Sequence, residues 1–260
     1  MNRVALVTGA ARGIGAATVL ALAAEGWSVV ATDRCSDDPR LPYALATESE
    51  LNAVAAVGGS RVLPFVADTT DPHALLQAVA LAEQEFGGLD AALAIAGVVA
   101  GGVPLWEQPI DEVDAVLDVD LRGVVLLARV AIPALLRRPA PRSGRFLAVA
   151  SAAAVRGLPM LSAYCAAKAG VTGLVRGLAA ELRATGVTAN AVSPGSTDTF
   201  TLAETARLYG LSSPTDFANQ QPMERLLAPE EVAAALVWLA SERSSGVTGA
   251  VFPVDGGLAL

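Results

Sequence analysis

A glycine-rich turn between an apolar strand and a helix is the feature that most restricts how this chain can fold. Residues 3–8 form an apolar, β-branched run, as expected of a buried parallel strand. Gly9, Gly13 and Gly15 follow, and a helical pattern then runs over residues 16–25. A strand that enters a helix through such a turn predicts the first unit of a parallel α/β sheet.

The same turn is suited to a phosphate group. Glycines let the backbone turn tightly and approach a pyrophosphate, to which the first N–H groups of the helix point. Arg12 and Ile14 belong to this turn, whose spacing is G-x-x-x-G-x-G rather than G-x-G-x-x-G. We therefore predict a dinucleotide site here, and a turn with a purely structural role is the alternative.

Strands alternate with helices along the rest of the chain. Further strands are predicted over residues 27–32, 61–66, 89–95, 145–150, 187–192 and 250–254. A length of 260 residues without linkers or repeats suits a single domain over residues 1–260. We predict an α/β fold, a Rossmann-type doubly wound parallel sheet of about seven strands, with one long helix over residues 110–136.

Composition argues against several kinds of partner. The chain is 53% hydrophobic and carries a formal net charge of -8, which argues against nucleic acid and anionic membranes. The most membrane-like stretch, residues 124–136, contains Arg129 and Pro133 and is too short to span a bilayer. No signal peptide is recognisable before the first strand, so a cytoplasmic protein is expected.

Metal and disulfide chemistry find little support in the sequence. Cys35 and Cys165 are the two cysteines, and His73 is the single histidine. These residues make no zinc-ligand pattern, no disulfide framework and no Ser-His-Asp triad, so no metal is predicted.

An acidic residue, Asp33, marks the end of the second strand. A carboxylate there accepts hydrogen bonds from the adenosine ribose of a dinucleotide and repels a 2′-phosphate, which favours NAD over NADP. Arg12 and Arg34 count against this interpretation, because either could pair with a phosphate. Asp33 receives more weight because its repulsion acts at the strand end itself, whereas an arginine can swing away. A solvated loop carboxylate is the alternative.

Further cofactor contacts are expected near the next strand ends. Asp68 is placed to meet the adenine edge, with a helix cap as the alternative. Gly97, after Ala96, allows the backbone to approach the ribose closely. The turn-rich connection over residues 34–47 is unusually long, so it is expected either to lie over the adenosine half of the cofactor or to be a plain surface excursion.

Tyr164 and Lys168 are the strongest candidates for catalytic residues. At positions i and i+4 of a helix they share one face, and a fixed cation lowers the pKa of a neighbouring phenol toward the range where it can transfer a proton. Ser151 follows the strand over residues 145–150, where its hydroxyl can hold a substrate oxygen beside the phenol. A surface tyrosine with a neighbouring lysine is the alternative.

Together these segments resemble the short-chain dehydrogenase/reductase family over nearly the whole chain. The motifs that carry the resemblance are Thr8-Gly-Ala-Ala-Arg-Gly-Ile-Gly15, Asp33, Asp68, Ala96-Gly97, Ser151, Tyr164-x-x-x-Lys168, Asn190-Ala-Val-Ser-Pro-Gly195 and Asp255-Gly-Gly257. The resemblance implies that Ser151 positions the substrate oxygen and Tyr164 transfers the proton. It implies that Lys168 binds the nicotinamide ribose and lowers the pKa of the tyrosine.

The resemblance also implies how the nicotinamide and the substrate are held. The turn of Pro194 and Gly195 would cradle the nicotinamide, with the Thr197 backbone and the Thr199 hydroxyl near the carboxamide. Residues 196–222 would form the substrate-binding lobe.

Two departures from the family pattern bear on the chemistry. Asp120 stands where the family usually has asparagine, and its charge would stabilise Lys168 as a cation. Activity with a shifted pH profile is expected, and a damaged proton relay is the alternative. Where the family has N-N-A-G, this chain has Ala94-Ile-Ala-Gly97, so packing by Ile95 would have to replace side-chain hydrogen bonds.

The long connection and the A-x-A-G variant resemble the mycofactocin-associated branch of the family. That finer resemblance implies an NAD that is held tightly, covered by residues 34–47 and reoxidised in place by an external redox carrier. The family is commonly tetrameric, which here implies a homotetramer built on the helices over residues 113–136 and 164–183.

The resulting prediction is an NAD-dependent oxidoreductase that interconverts a small-molecule alcohol and a carbonyl compound. One alternative is a non-catalytic NAD-binding sensor or assembly protein on the same fold, and another is an NADPH-dependent carbonyl or 3-oxoacyl reductase. The apolar residues that suggest a substrate pocket, with ordinary core packing as their alternative, are Trp106, Leu158, Met160, Phe200, Leu202, Leu208, Tyr209 and Phe217.

Overall fold

Seven parallel strands form one sheet in the computed structural model, which describes residues 3–260. The strands are β1 (Val4–Thr8), β2 (Ser28–Asp33), β3 (Val62–Val66), β4 (Ala91–Ala94), β5 (Arg145–Val149), β6 (Thr188–Pro194) and β7 (Val251–Val254). Their order across the sheet is β3-β2-β1-β4-β5-β6-β7, so the sheet grows outward in both directions from β1 and β4. The predicted doubly wound parallel sheet is confirmed.

Helices cover both faces of the sheet. They are α1 (Gly13–Ala24), α2 (Glu48–Gly58), α3 (Pro72–Phe86), α4 (Ile110–Leu117), α5 (Gly123–Arg137), α6 (Ser162–Glu181), α7 (Phe200–Leu208) and α8 (Pro229–Ala240). Successive residues of β1 face opposite sides: Leu6 joins the core under α3, α5 and α6, and Val7 joins the core under α1, α2 and α8. Burial on both faces explains why the strands are continuous apolar runs.

The helix expected over residues 110–136 is interrupted by a π-turn. α4 and α5 are joined by residues Asp118–Arg122, whose backbone winds wider than an α-helix. Such a turn adds a residue to one helical turn and changes the direction of its side chains, frequently at functional sites. Here it buries Asp120 completely. No helix within residues 3–260 is long and apolar enough to cross a membrane.

Candidate active site

A cleft of about 540 Å³ opens at the carboxyl ends of the strands, beside the place where the strand order reverses. Open α/β sheets bind their ligands at this place. The residues predicted to bind the cofactor or to act in catalysis all line this cleft: Gly9, Arg12, Gly13, Ile14, Gly15, Asp33, Arg34, Asp68, Ala96, Gly97, Asp120, Ser151, Tyr164, Lys168, Pro194, Gly195, Thr197 and Thr199. Their individual roles remain predictions.

The glycine turn is shaped to bring its backbone close to an anion. Gly9 and Gly13 have φ angles of 68° and 57°, which residues with a side chain rarely adopt. A Cβ atom at Gly9 would lie 2.6 Å from the Cα of Ala96, so the turn packs directly on the end of β4. α1 begins at Gly13 without a side-chain cap, which leaves its first N–H groups for a ligand. The turn therefore fits a pyrophosphate.

Backbone N–H groups hold the carboxylate of Asp33 at the end of β2. Its Oδ2 accepts from the N–H of Ala11 at 3.0 Å, and its Oδ1 accepts from the N–H of Arg34 at 2.8 Å. Burial raises the pKa of Asp33, while these hydrogen bonds lower it. Each carboxylate oxygen has a further lone pair, so the site fits the hydroxyls of an adenosine ribose.

Both arginines that could pair with a 2′-phosphate have other partners. Arg34 Nη1 lies 2.8 Å from Oδ2 of Asp38, and Arg34 Nε lies 3.4 Å from Oδ2 of Asp68. The guanidinium of Arg12 lies 3.9 Å from the centre of the Phe200 ring. A phosphate would have to compete with two carboxylates for Arg34 and with an aromatic ring for Arg12.

Residues 34–47, called the insert below, are ordered by a buried carboxylate. Asp38 is 2% exposed, and its oxygens accept from Nε and Nη2 of Arg40 at 3.0 and 2.8 Å. Nη1 of Arg40 also donates to Oδ2 of Asp118, on the π-turn, at 2.9 Å. Hydrogen bonds from Arg40 and Arg34 hold the pKa of Asp38 well below its usual range. These contacts tie the insert to the helical segment that carries Asp120.

The insert reaches further than the sequence predicted. The Tyr43 hydroxyl donates to the carbonyl of Val99 at 2.9 Å and accepts from the N–H of Val99 at 3.0 Å. The Tyr43 ring lies 5.8 Å from the ring of Phe200, at the start of α7. Leu41 is buried in a cluster against which Tyr164 packs. The insert therefore lines the cleft and is not a plain surface excursion, and its place over the adenosine half of a cofactor stays a prediction.

Ser151, Tyr164 and Lys168 meet at the centre of the cleft. Ser151 follows β5, and its hydroxyl accepts from the N–H of Ala153 at 3.1 Å and is close enough to the Tyr164 phenol to lower the pKa of that phenol. Lys168 Nζ lies 5.6 Å from the centre of the Tyr164 ring and donates to the carbonyl of Val149 at 3.2 Å. α6 thus presents both side chains on one face toward the end of β5.

Asp120 forms a buried ion pair with Lys168. Its Oδ2 lies 3.1 Å from Lys168 Nζ, and its Oδ1 accepts from the N–H of Val98 at 2.7 Å. Burial raises the pKa of Asp120, and Lys168 opposes that rise. Burial lowers the pKa of Lys168, but attraction to Asp120 and Tyr164 outweighs this effect, so the pKa of Lys168 lies above its ordinary value. Asp120 therefore holds Lys168 as an ammonium group.

The pKa of Tyr164 departs from the expected direction. Burial raises it, Lys168 lowers it, and the charge of Asp120 raises it again, with a net pKa above that of an ordinary tyrosine. Lys168 has the expected effect of lowering the pKa of Tyr164, but burial of the phenol outweighs it. The physical reason is that the phenol has lost water and that Asp120 offsets part of the field of Lys168.

Thr8 braces the end of β4, a role that the sequence analysis missed. Its buried hydroxyl accepts from the N–H groups of Ile95 and Ala96 at 3.1 and 3.3 Å. The Ile95 side chain packs in the core, as expected for the variant segment. The available signal was a hydroxyl residue at the very end of a buried strand.

The turn after β6 closes the other end of the cleft. A Cβ atom at Gly195 would lie 2.7 Å from the Cα of Asp255, so nothing larger than glycine fits there. The N–H of Ser196 donates to Oε1 of Gln221 at 2.7 Å, which fixes the start of the 196–222 segment. The Thr199 hydroxyl caps the first turn of α7, in addition to its predicted place near a carboxamide.

Only some of the residues predicted to form an apolar substrate pocket line the cleft. Five of its residues line the cleft: Leu158, Phe200, Leu202, Tyr209 and Phe217. Met160 and Leu208 do not line it, and Trp106 is 85% exposed on the surface. Within residues 3–260, no group of three or more His, Cys, Asp and Glu side chains is arranged to hold a metal ion.

Known proteins are similar to this chain in both sequence and fold. A family model described as enoyl-(acyl carrier protein) reductase matches residues 9–259. The cis-4-hydroxycyclohexanecarboxylate dehydrogenase of Sinomonas cyclohexanicum is 39% identical over 260 residues, covering 98% of this chain and 96% of that protein. The 3-oxoacyl-(acyl-carrier-protein) reductase of Thermotoga maritima is 34% identical over 262 residues, covering 100% of this chain and 98% of that protein.

Among solved structures, carveol dehydrogenase from Mycobacterium avium in complex with NAD is similar to this chain. Its TM-score is 0.92 at 31% identity, covering 98% of this chain and 97% of that one. These matches extend over almost the full length of the chain. The chain belongs to the short-chain dehydrogenase/reductase family. It is accordingly an oxidoreductase with a Rossmann-type fold.

Proposed function

We propose that this protein oxidises a secondary alcohol to a ketone, or a primary alcohol to an aldehyde, with NAD as hydride acceptor, and catalyses the reverse reaction. The observation that carries the proposal is the Ser151–Tyr164–Lys168 group at the end of β5, in the same cleft as the glycine turn. The proposal includes a small-molecule substrate and a cytoplasmic homotetramer.

Each of these three side chains has a separate role in the proposed proton transfer. NAD, when bound, supplies the hydride acceptor. Tyr164, as phenolate, takes the hydroxyl proton of the alcohol, and the Ser151 hydroxyl donates a hydrogen bond to the same substrate oxygen. The ammonium group of Lys168 stabilises the phenolate by its charge. In the direction of reduction, the Tyr164 phenol returns the proton.

NAD is the proposed cofactor because of the charges around the adenosine end. Asp33 presents a carboxylate where a 2′-phosphate would lie, and Arg34 is engaged by Asp38 and Asp68. An NADPH-dependent carbonyl or 3-oxoacyl reductase is the second candidate. The ratio of the dissociation constants for NADH and NADPH decides between them.

The contacts of the insert support a cofactor that leaves slowly. Arg40 ties the insert to the π-turn, and Tyr43 ties it to Val99 and Phe200 across the cleft. An NAD that stays bound between turnovers would pass its electrons to an external redox carrier. Denaturing the purified protein, identifying any nucleotide released, and measuring exchange of that nucleotide with added NAD tests this part. Rapid exchange would exclude it.

Tyr164→Phe tests the chemistry. The variant is expected to bind NAD with little change and to lose nearly all turnover, because the phenylalanine ring keeps the packing but cannot transfer a proton. Turnover is measured as NADH absorbance with cyclic and open-chain secondary alcohols. Unchanged turnover would refute the role of Tyr164. A wild-type protein that binds NAD but turns over no alcohol would favour the non-catalytic sensor.

A further inference from the structure

Arg156 lines the cleft at its substrate end. It lies in the short turn that follows Ser151, where its N–H donates to the carbonyl of Ala152 at 2.9 Å. Leu158, Tyr209 and Phe217 line the same cleft. The other ionisable Asp, Lys and Arg side chains of the lining belong to the glycine turn, the adenosine end or the catalytic pair: Arg12, Asp33, Arg34, Asp68, Asp120 and Lys168.

A backbone carbonyl holds the guanidinium of Arg156, but no carboxylate of the described residues pairs with it. Its Nη1 donates to the carbonyl of Leu258 at 2.8 Å, which fixes the plane of the group against the C-terminal segment. None of the ion pairs among the described residues includes Arg156. A guanidinium has five N–H donors, so most of them stay open to a ligand. In this respect Arg156 differs from Arg12 and Arg34, which are already engaged.

We infer that Arg156 binds a carboxylate carried by the substrate. The substrate class is then a hydroxy acid or oxo acid in which an apolar body separates the carboxylate from the reacting oxygen. The apolar wall residues contact that body, and the planar guanidinium pairs with both carboxylate oxygens, a geometry that arginine favours. This inference rests on the proposed function for the reacting end of the substrate and adds the group at its other end.

The test compares an acid with its neutral isostere. Initial rates are measured with saturating NAD for cis-4-hydroxycyclohexanecarboxylate and for its primary amide, with the wild type and with Arg156→Gln, Arg156→Lys and Arg137→Gln. Arg137 is an exposed arginine of α5 that pairs with Glu83 and does not line the cleft, so its variant controls for the loss of one positive charge.

Arg156→Gln is expected to raise KM for the acid by roughly 10- to 100-fold, the size of a charge-assisted hydrogen-bond pair, and to change KM for the amide less than about threefold. Arg156→Lys is expected to raise KM for the acid less than Arg156→Gln does. Arg137→Gln is expected to change neither KM for the acid nor KM for the amide. An equal effect on acid and amide would overturn the inference, because it would show that Arg156 only supports the Leu258 segment.

A binding measurement separates this inference from the proposed reaction. Calorimetry with cyclohexanecarboxylate and cyclohexanecarboxamide, in the presence of NADH, needs no turnover. Wild-type protein that binds the carboxylate more tightly than the amide, with that preference lost in Arg156→Gln, supports the inference even if no alcohol is oxidised. Equal binding of the two by the wild type refutes it even if alcohols are oxidised.

Discussion

The buried pair of Asp120 and Lys168 controls the charge felt by the Tyr164 phenol. Lys168 favours the phenolate, and Asp120 opposes it. The phenolate is the base that alcohol oxidation requires, so the balance between these two charges determines the pH at which oxidation becomes fast. With the pKa of Tyr164 above its ordinary value, the phenol is protonated near neutrality, and the rate of oxidation is expected to rise as the pH becomes alkaline.

Asp120→Asn is expected to move that rise in kcat/KM for oxidation to lower pH, by roughly one unit. The direction follows because Asp120 raises the pKa of Tyr164, so removing its charge lowers that pKa. The measurement is kcat/KM from about pH 6 to pH 10. Asp114→Asn, which removes an exposed carboxylate of α4, serves as the control and should leave the profile in place. An unmoved profile in Asp120→Asn would show that Asp120 has no influence on Tyr164.

Asp33 is expected to determine the preference for NAD. Asp33→Asn keeps an oxygen that can accept from the Ala11 N–H but removes the charge, and Asp33→Ala removes both. Both variants should lower the ratio of the NADPH dissociation constant to the NADH dissociation constant, because the repulsion of a 2′-phosphate is lost. Fluorescence titration measures both constants. If Asp33→Asn keeps the wild-type ratio, charge repulsion at this residue is not the source of the preference.

The insert and the π-turn both contribute residues to the lining of the cleft. The π-turn directs Asp120 inward and presents Asp118 to Arg40, and Arg40 in turn satisfies the buried carboxylate of Asp38. The two elements are therefore connected through charged side chains. A change in the insert is expected to affect the catalytic half of the cleft as well as the adenosine half.

Tyr43→Phe tests how the insert holds the cofactor. The variant keeps the ring beside Phe200 and loses both hydrogen bonds to Val99, so NAD is expected to dissociate roughly tenfold faster. Stopped-flow displacement of bound NADH gives the rate. Tyr209→Phe, which removes a hydroxyl bond to Pro159 in the substrate lobe, is the matched variant and should leave the rate unchanged. Equal rates for wild type and Tyr43→Phe would contradict a closing role for Tyr43.

For the whole molecule, α6 carries a face of small residues in addition to the catalytic face. Apart from the adjacent residues and the backbone of α6 itself, Cβ atoms at Gly173 and Gly177 would have no heavy atom of the described chain within 4 Å. Exposed glycines within a helix weaken it by about 0.5–1 kcal/mol each relative to alanine. The predicted homotetramer would account for Gly173 and Gly177, because glycines on a helix surface allow a helix of another subunit to approach closely.

Gly173→Leu is therefore expected to break the assembly while the single chain stays folded. Light scattering should give the wild type a mass about four times the 26.3 kDa of one chain and give the variant a smaller mass. Gly173→Ala is the control, because a methyl group strengthens the helix at little steric cost. A variant that keeps the wild-type mass would show that this part of α6 is not in the subunit interface.

Features that depend on the local order of residues are predictable from the amino-acid sequence. The alternation of apolar strands with helices predicts the doubly wound sheet, and the glycines after β1 predict the anion-binding turn. The spacing of Tyr164 and Lys168 on one helix predicts that the two side chains share a face. Each of these features follows from backbone geometry over a few residues, so a single segment is enough to show it.

Contacts between segments that are distant in the chain are defined only in the folded protein. The π-turn that buries Asp120 against Lys168 has no local signal, because its extra residue is stabilised by packing rather than by propensity. The reach of Tyr43 to Val99, the brace from Thr8 to the end of β4 and the place of Arg156 in the cleft likewise depend on how the elements pack. The raised pKa of Tyr164 follows from the same cause, since burial and the nearby Asp120 charge exist only in the folded chain.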